Sequence, residues 1–526
     1  MSLAQPDKDR RLLPRWRSPT DAALAGELFP LGQAPDATRR LIISEQFDQA
    51  VQEWRETGSA EAGSEGVESA IVLGREGEIV DVAAELITES GLKPEVKRLA
   101  RRVLASDDFG KTDSVSTDLN VDVAAIRGAI ASLRLQVRRD PRSALAWMEI
   151  GRLHTMLGQE TPAERSVLSA VAISPSNRFV ARAAARFFVH KGDPEQALSV
   201  IRRSIRLERD PWLMAAEISL AQIAGATSVL VKRALELSSE DSLHPWHTSE
   251  LNGALAGLVA RDGNIKRARK LMSQSLRFPT ENALAQAQWA AGQLQGPGIA
   301  PIVAQHEDAF EAQALLSRSE RNWIDACNRC RLWSNFEPTS SRPLVLGSFM
   351  ALTAMNDPVE ALAFLNRAVL IEPRDPVPHN NRAVALAYMG RMAEARRSLE
   401  RAIRATRDAG NNAVLTATAA LLMCREGRVT EGIAEYRRAA ELSARQKDGP
   451  RLALILAHLL RELLPYAPDA VQKVIPVLAD KTKAIRLPEL EDMRKGIERD
   501  AAKRSSSVDR VETTRFDIPD ILGMFR

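Results

Sequence analysis

Apolar residues along this chain recur at spacings of three and four, and runs alternating with period two are nearly absent. The pattern predicts helices from end to end. In "DATRRLIISEQFDQAVQEWRET", residues 36–57, Leu41, Ile42, Phe47, Val51 and Trp54 share one face, and "GVESAIVLGREGEIVDVAAELITESG" continues the periodicity over 66–91. Between these runs "GSAEAGSEG" reads as a linker by composition, and "SDDFGKTDSVSTDLN" at 106–120 reads as a domain boundary. Residues 1–19 are polar and proline-bearing and read as a loose segment, which leaves 20–118 as a small helical unit.

From Val121 onward the chain is self-similar with a period of about 34 residues. With Ala144 as position 1, Trp147 falls at position 4, Gly151 at 8, Gly158 at 15, Ala163 at 20, Ala170 at 27 and Pro175 at 32. The same offsets from Arg178 give Ala185, Gly192, Ala197 and Ser204; from Ser249 they give Ala256, Gly263, Ala268 and Ser275. Units starting at Glu307, Arg342, Pro376 and Ala413 repeat the small residues, with Trp333 and Phe349 as bulky exceptions. Small residues at positions 8 and 20 let two antiparallel helices approach closely, glycine at 15 ends the first, and proline at 32 stops the second.

On these residues the chain resembles the tetratricopeptide repeat family over 144 to about 446. The resemblance implies an all-α fold, an α-solenoid superhelix of antiparallel helix pairs, in which each pair covers the apolar edge of the next. The expected division is a solenoid over 119–446, with clear units 144–177, 178–211, 249–282, 307–340, 342–375, 376–409 and 413–446. Capping helices over 447–503 and a tail over 504–526 follow. Residues 212–248 read as a degenerate unit, and "QGPGIAP" after 283–294 interrupts the stacking.

In the family, ligand contacts come from first-helix positions 2, 5, 9, 12 and 13. Here these supply Met148, Arg152 and Thr155, then Arg182, Arg186 and His190, and later Asn380, Val384, Tyr388, Leu421 and Arg425. The arginines form either a solvated face or a site for an acidic peptide. The family's carboxylate clamp is not reproduced; Asn381 is a solitary echo. In the tail, Phe516, Ile518, Ile521, Leu522 and Phe525 make a short apolar motif that docks either in a partner or on the solenoid itself.

Composition changes this picture little. A net charge of +4 over 526 residues argues only weakly for nucleic acid, and the 58 arginines against 14 lysines fit a GC-rich, bacterial genome as well as any binding need. Three cysteines, Cys327, Cys330 and Cys424, make no disulfide framework and suit a reducing compartment. No segment reads as a signal peptide or a membrane span, so a soluble cytoplasmic protein is expected.

Candidate chemistry is sparse. His154 sits at a packing position, and Cys327 and Cys330 of "CNRC" have no second close pair to complete a zinc site. "HPWH" at 244–247 reads as a turn before a helix, and "HED" at 306–308 is isolated. No phosphate-binding loop, nucleophile elbow or HExxH pattern occurs. The expectation is a non-catalytic adaptor without cofactor or metal, binding a protein or peptide partner. An RNA-binding solenoid and a regulatory subunit acting on a separate enzyme are the alternatives.

Overall fold

The computed structural model describes residues 13–19 and 37–506, apart from positions scattered through 74–117, 240–242, 295–308 and 483–486. Two compact units result: Phe29–Thr117, and Met1–Leu28 together with Asp118–Arg526. All regular structure among the described residues is helical.

The smaller unit contains α1 (Ala37–Thr57), α2 (Ala60–Leu73) and α3 (Val80–Thr88). Phe47, Val51, Val67, Ile79, Val82 and Leu86 form its core. The stretch "GSAEAGSEG" is not a linker, because α2 starts within it. Its glycines serve packing: a Cβ on Gly66 would come within 2.7 Å of the Ile79 side chain, and one on Gly63 within 3.2 Å of Trp54. Composition alone does not separate a flexible glycine from one that admits a neighbour.

The larger unit opens with α4 (Val123–Arg139), then the pairs α5 (Ala144–Met156) with α6 (Glu160–Ile173) and α7 (Arg178–Lys191) with α8 (Pro194–Arg202). Next come α9 (Pro211–Ile223) with the two-turn α10 (Val231–Ser238), α11 (Pro245–Arg261) with α12 (Ile265–Ser275), and α13 (Glu281–Leu294). Residues 295–301 lie outside the described residues. The array resumes with α14 (Phe310–Ser319) and α15 (Trp323–Phe336), α16 (Arg342–Met350) and α17 (Pro358–Ile371), and α18 (Pro376–Tyr388) with α19 (Met392–Ala405). It ends with α20 (Ala413–Arg425) and α21 (Val429–Arg445), then α22 (Gly449–Leu463), α23 (Pro468–Thr482) and α24 (Pro488–Ser506). This is an α-solenoid of antiparallel hairpins.

The crossings are built from small residues. A Cβ on Gly151 would stand 2.9 Å from Val167 and 3.4 Å from the Ala163 carbonyl, and one on Gly432 would stand 2.9 Å from the Ala420 carbonyl. Phe349 is the informative exception. Here Gly347 makes the crossing, where a Cβ would stand 2.7 Å from the Phe364 ring, so the register is shifted by two residues. The helix then runs on through a π-helical turn, Ala351–Met355, stopped by Asn356 at φ 55°.

The superhelix meets itself. At Gly158, φ +64°, a Cβ would stand 2.3 Å from the Leu370 carbonyl and 3.0 Å from the Pro373 ring. Arg374 pairs with Glu160 at 2.6 Å, His190 with Glu372 at 2.9 Å, and Asn335 donates to the Asp118 carbonyl at 3.4 Å. Helix α24 also returns: Glu489 pairs with Arg318 at 2.5 Å, and Asp492 accepts from the Trp323 indole at 2.9 Å.

Candidate functional site

Of the segment 1–19, expected to be loose, residues 1–12 lie outside the described residues and the rest is packed. Residues 14–17, Pro-Arg-Trp-Arg, are buried inside the larger unit. The reason is charge and shape. Arg15 reaches Glu337, Glu311 at 3.1 Å and Glu281 at 3.9 Å, contacts spanning about 300 residues of sequence. Trp16, 1% exposed, sets its ring edge-on to Phe187 with centroids 5.8 Å apart. Arg17 pairs with Glu281 and lies 4.3 Å from the Phe336 ring centroid. Buried aromatic pairs contribute about 0.5–1.5 kcal/mol and a desolvated cation on a ring up to about 2 kcal/mol, so the segment is bound by more than contact area.

Electrostatics explain why arginine is required. Glu311 and Glu337 are 4% exposed and face one another's charge in a medium that screens little. Burial opposes the charge of Arg15, but Glu337 and Glu311 outweigh it and hold the guanidinium above its ordinary value. Burial likewise pushes Glu337 up, and Arg15 and Arg186 overcome it, so the carboxyl sits below its usual range. Trp333 donates its indole N–H to Glu337 at 3.1 Å, and Arg342 pairs with Glu311 at 2.7 Å. Arg186 donates to Ser340 at 3.2 Å; burial depresses its pKa.

The residues singled out from sequence are distributed differently from an open groove. Arg182 is 1% exposed and pairs with Glu250 at 2.9 Å, with its guanidinium 4.9 Å from the Trp212 ring. Its charge is spent inside. Met148 is fully buried, Arg152 pairs with Glu149 on its own helix at 2.6 Å, and Thr155 donates to the Gly151 carbonyl at 3.0 Å. His190 belongs to the seam with Glu372. Of this set the structure brings Arg186 into the surroundings of the Arg15 charge.

The later group forms a second cluster. Tyr388 donates to or accepts from His458 at 2.7 Å and is flanked by the guanidinium groups of Arg425 at 5.0 Å and Arg461 at 5.1 Å. Arg425 pairs with Glu462 at 2.6 Å. Val384, Thr418, Leu421, Tyr436 and His458 line one small cavity, and Asn380 is buried beside Asn381, to whose side chain it donates at 3.3 Å. Burial drives His458 well below the usual imidazole range and raises Glu462 against the pull of Arg425. Phe516, Ile518, Ile521, Leu522 and Phe525 lie outside the described residues.

His154 is buried, with Nδ1 at 2.6 Å from Gln159, and burial lowers its pKa. Cys327 and Cys330 sit in an apolar core with Ala314, Leu344 and Phe364; burial pushes the Cys327 thiol up to about 12. His244 caps α11, its Nδ1 accepting from the Trp246 amide at 3.3 Å, with Pro245 in the first turn.

Sequence reasoning missed the carboxylates. Glu250 and Glu311 occupy positions 2 and 5 of the units starting at Ser249 and Glu307, so the same offsets that selected the arginines would have found them. The alternation Arg-Trp-Arg in the N-terminal segment was the complementary signal.

Fold and site together define a helical-hairpin solenoid that encloses its own residues 14–17 in a channel walled by Glu281, Glu311 and Glu337. No family model matches the chain, and no curated protein aligns with it. Among solved structures it is similar to the crystal structure of the APC/C hetero-tetramer Cut9-Hcn1, 11% identical, with 92% of this chain and 94% of that chain covered and a TM-score of 0.35. A likeness of that degree carries no argument about function. No helix among the described residues is long and apolar enough to cross a membrane.

Proposed function

We propose that this protein is a non-catalytic interaction scaffold, built on tetratricopeptide-type repeats, that holds a polypeptide partner within its solenoid. The observation that carries the reading is the Pro-Arg-Trp-Arg segment itself: a non-helical stretch of chain bound by side chains of helices far apart in sequence. Helical repeats bind through such inner surfaces because stacking leaves a continuous wall. The ligand chemistry is basic and aromatic. An acidic partner fits poorly, since Arg182 is already paired with Glu250 and Glu281, Glu311 and Glu337 line the channel. The same carboxylates would repel a phosphate backbone, which weighs against the RNA-binding reading. Buried, unpaired cysteines fit a reducing cytoplasm.

The test is panning of a random peptide library against the folded, full-length protein with alanine at 15, 16 and 17, followed by mapping of captured peptides by cross-linking. Peptides cross-linked to the inner helices support the scaffold. Absence of any captured peptide contradicts it.

A further inference from the structure

We infer that the N-terminal segment around Arg15, Trp16 and Arg17 is a resident competitor, and that the external partner presents an arginine–aromatic–arginine sequence to the same channel. This rests on the scaffold reading and specifies its ligand. Side chains join the segment to the channel: Arg15 to Glu337 and Glu311, Trp16 to Phe187, Arg17 to Glu281 and Phe336. None of these contacts depends on the segment being covalently part of the chain. A peptide with the same three side chains satisfies them from outside.

The chemistry narrows the partner further. Two carboxylates converge on Arg15 from α14 and from the end of α15, a fork that a planar guanidinium fills and a lysine ammonium fills less well. The Trp16 indole N–H is buried without a hydrogen-bond partner, so the pocket reads an aromatic ring and not specifically tryptophan. Occupancy in cis is an intramolecular event, and a tethered ligand competes at high effective concentration. The free protein is therefore self-occupied, and a partner engages fully only when its own segment outcompetes residues 13–19.

The probe is a fluorescent synthetic peptide, LPRWRSP, with an Arg-to-Lys and a Trp-to-Phe version. Wild-type protein is expected to bind it at least tenfold more weakly than the full-length Arg15→Ala/Trp16→Ala/Arg17→Ala variant. The Phe peptide should bind like the parent and the Lys peptide more weakly. Adding Glu311→Gln and Glu337→Gln to the variant should abolish binding. Should the triple variant fold poorly, hydrogen exchange on wild-type protein is the second measurement: excess peptide should deprotect residues 13–19.

A folded variant that fails to bind LPRWRSP, or arm protection unchanged by saturating peptide, overturns the inference. Library panning separates this failure from that of the scaffold reading. Enrichment of arginine–aromatic–arginine supports both. Enrichment of an unrelated motif on the inner helices sinks the inference and leaves the scaffold, and no enrichment sinks both.

Discussion

Arg15 is the residue on which the channel depends. Its guanidinium offsets carboxylates that water cannot reach, so Arg15→Ala removes the largest counter-charge of Glu337 and leaves Glu311 with Arg342. Breaking a buried pair from one side costs about 3–5 kcal/mol, and that loss is the expected outcome of urea unfolding. Acid should act on the same contact. Glu337 is held below its unfolded pKa, so its contribution is present above about pH 4 and disappears as pH falls through the lower, folded value. A different residue tests the repeat register. Ala163 is fully buried where α6 crosses α5 at Gly151, so Ala163→Leu should overpack the crossing and lower stability by about 1–3 kcal/mol. An unchanged melting temperature would show that the helices cross elsewhere.

At the scale of elements, the seam between α5–α7 and the α17–α18 turn decides whether the solenoid closes. Gly158 is in the left-handed region with the Leu370 carbonyl beneath it, so Gly158→Ala meets both backbone strain and a neighbour that cannot yield. Gly390 has a similar φ of +74° and open space around it. Alanine there should cost about 1 kcal/mol and alanine at 158 clearly more, as read from paired denaturation curves. The seam is also sensitive to pH. Burial and then the charge of Glu372 push Asp375 up to about 7. The folded form thus binds more protons than the unfolded chain between about pH 4 and about pH 7, and this group's contribution falls as pH rises across that window. Glu372 is held low despite burial by its hydrogen bond and charge contact with His190, and acts in the opposite direction only at lower pH. Asp375→Asn keeps an acceptor for the Val377 amide that Asp375 now caps, and should flatten the decline expected between about pH 4 and about pH 7.

For the whole molecule, what was legible in sequence was the local part. Small residues at fixed offsets disclosed the hairpins because helix crossing is a short-range constraint, as Gly151 with Ala163 and Gly432 with Ala420 illustrate. Glycines at 158, 192, 263, 390 and 427 were legible as helix ends for the same reason, all taking positive φ. Closure was not legible, because contact between Gly158 and Leu370 depends on the summed pitch of intervening pairs, including the short α10. The channel contents were hidden by the same distance. The stretch "PRWR" at 14–17 reads as polar when only its neighbours are considered, and becomes core when Glu311 and Glu337 arrive from about 300 residues away. The groove arginines were misjudged for want of their partners, Arg182 being neutralised by Glu250 sixty-eight residues later.

The most direct test of the occupied channel is a double-mutant cycle on stability between Arg15→Ala and Glu337→Ala in the full-length chain. The expected coupling free energy is at least about 1.5 kcal/mol, because either substitution alone removes a direct buried counter-charge of the other residue. Effects that add to within about 0.5 kcal/mol would mean that the two side chains do not meet, and that the N-terminal segment lies outside the solenoid.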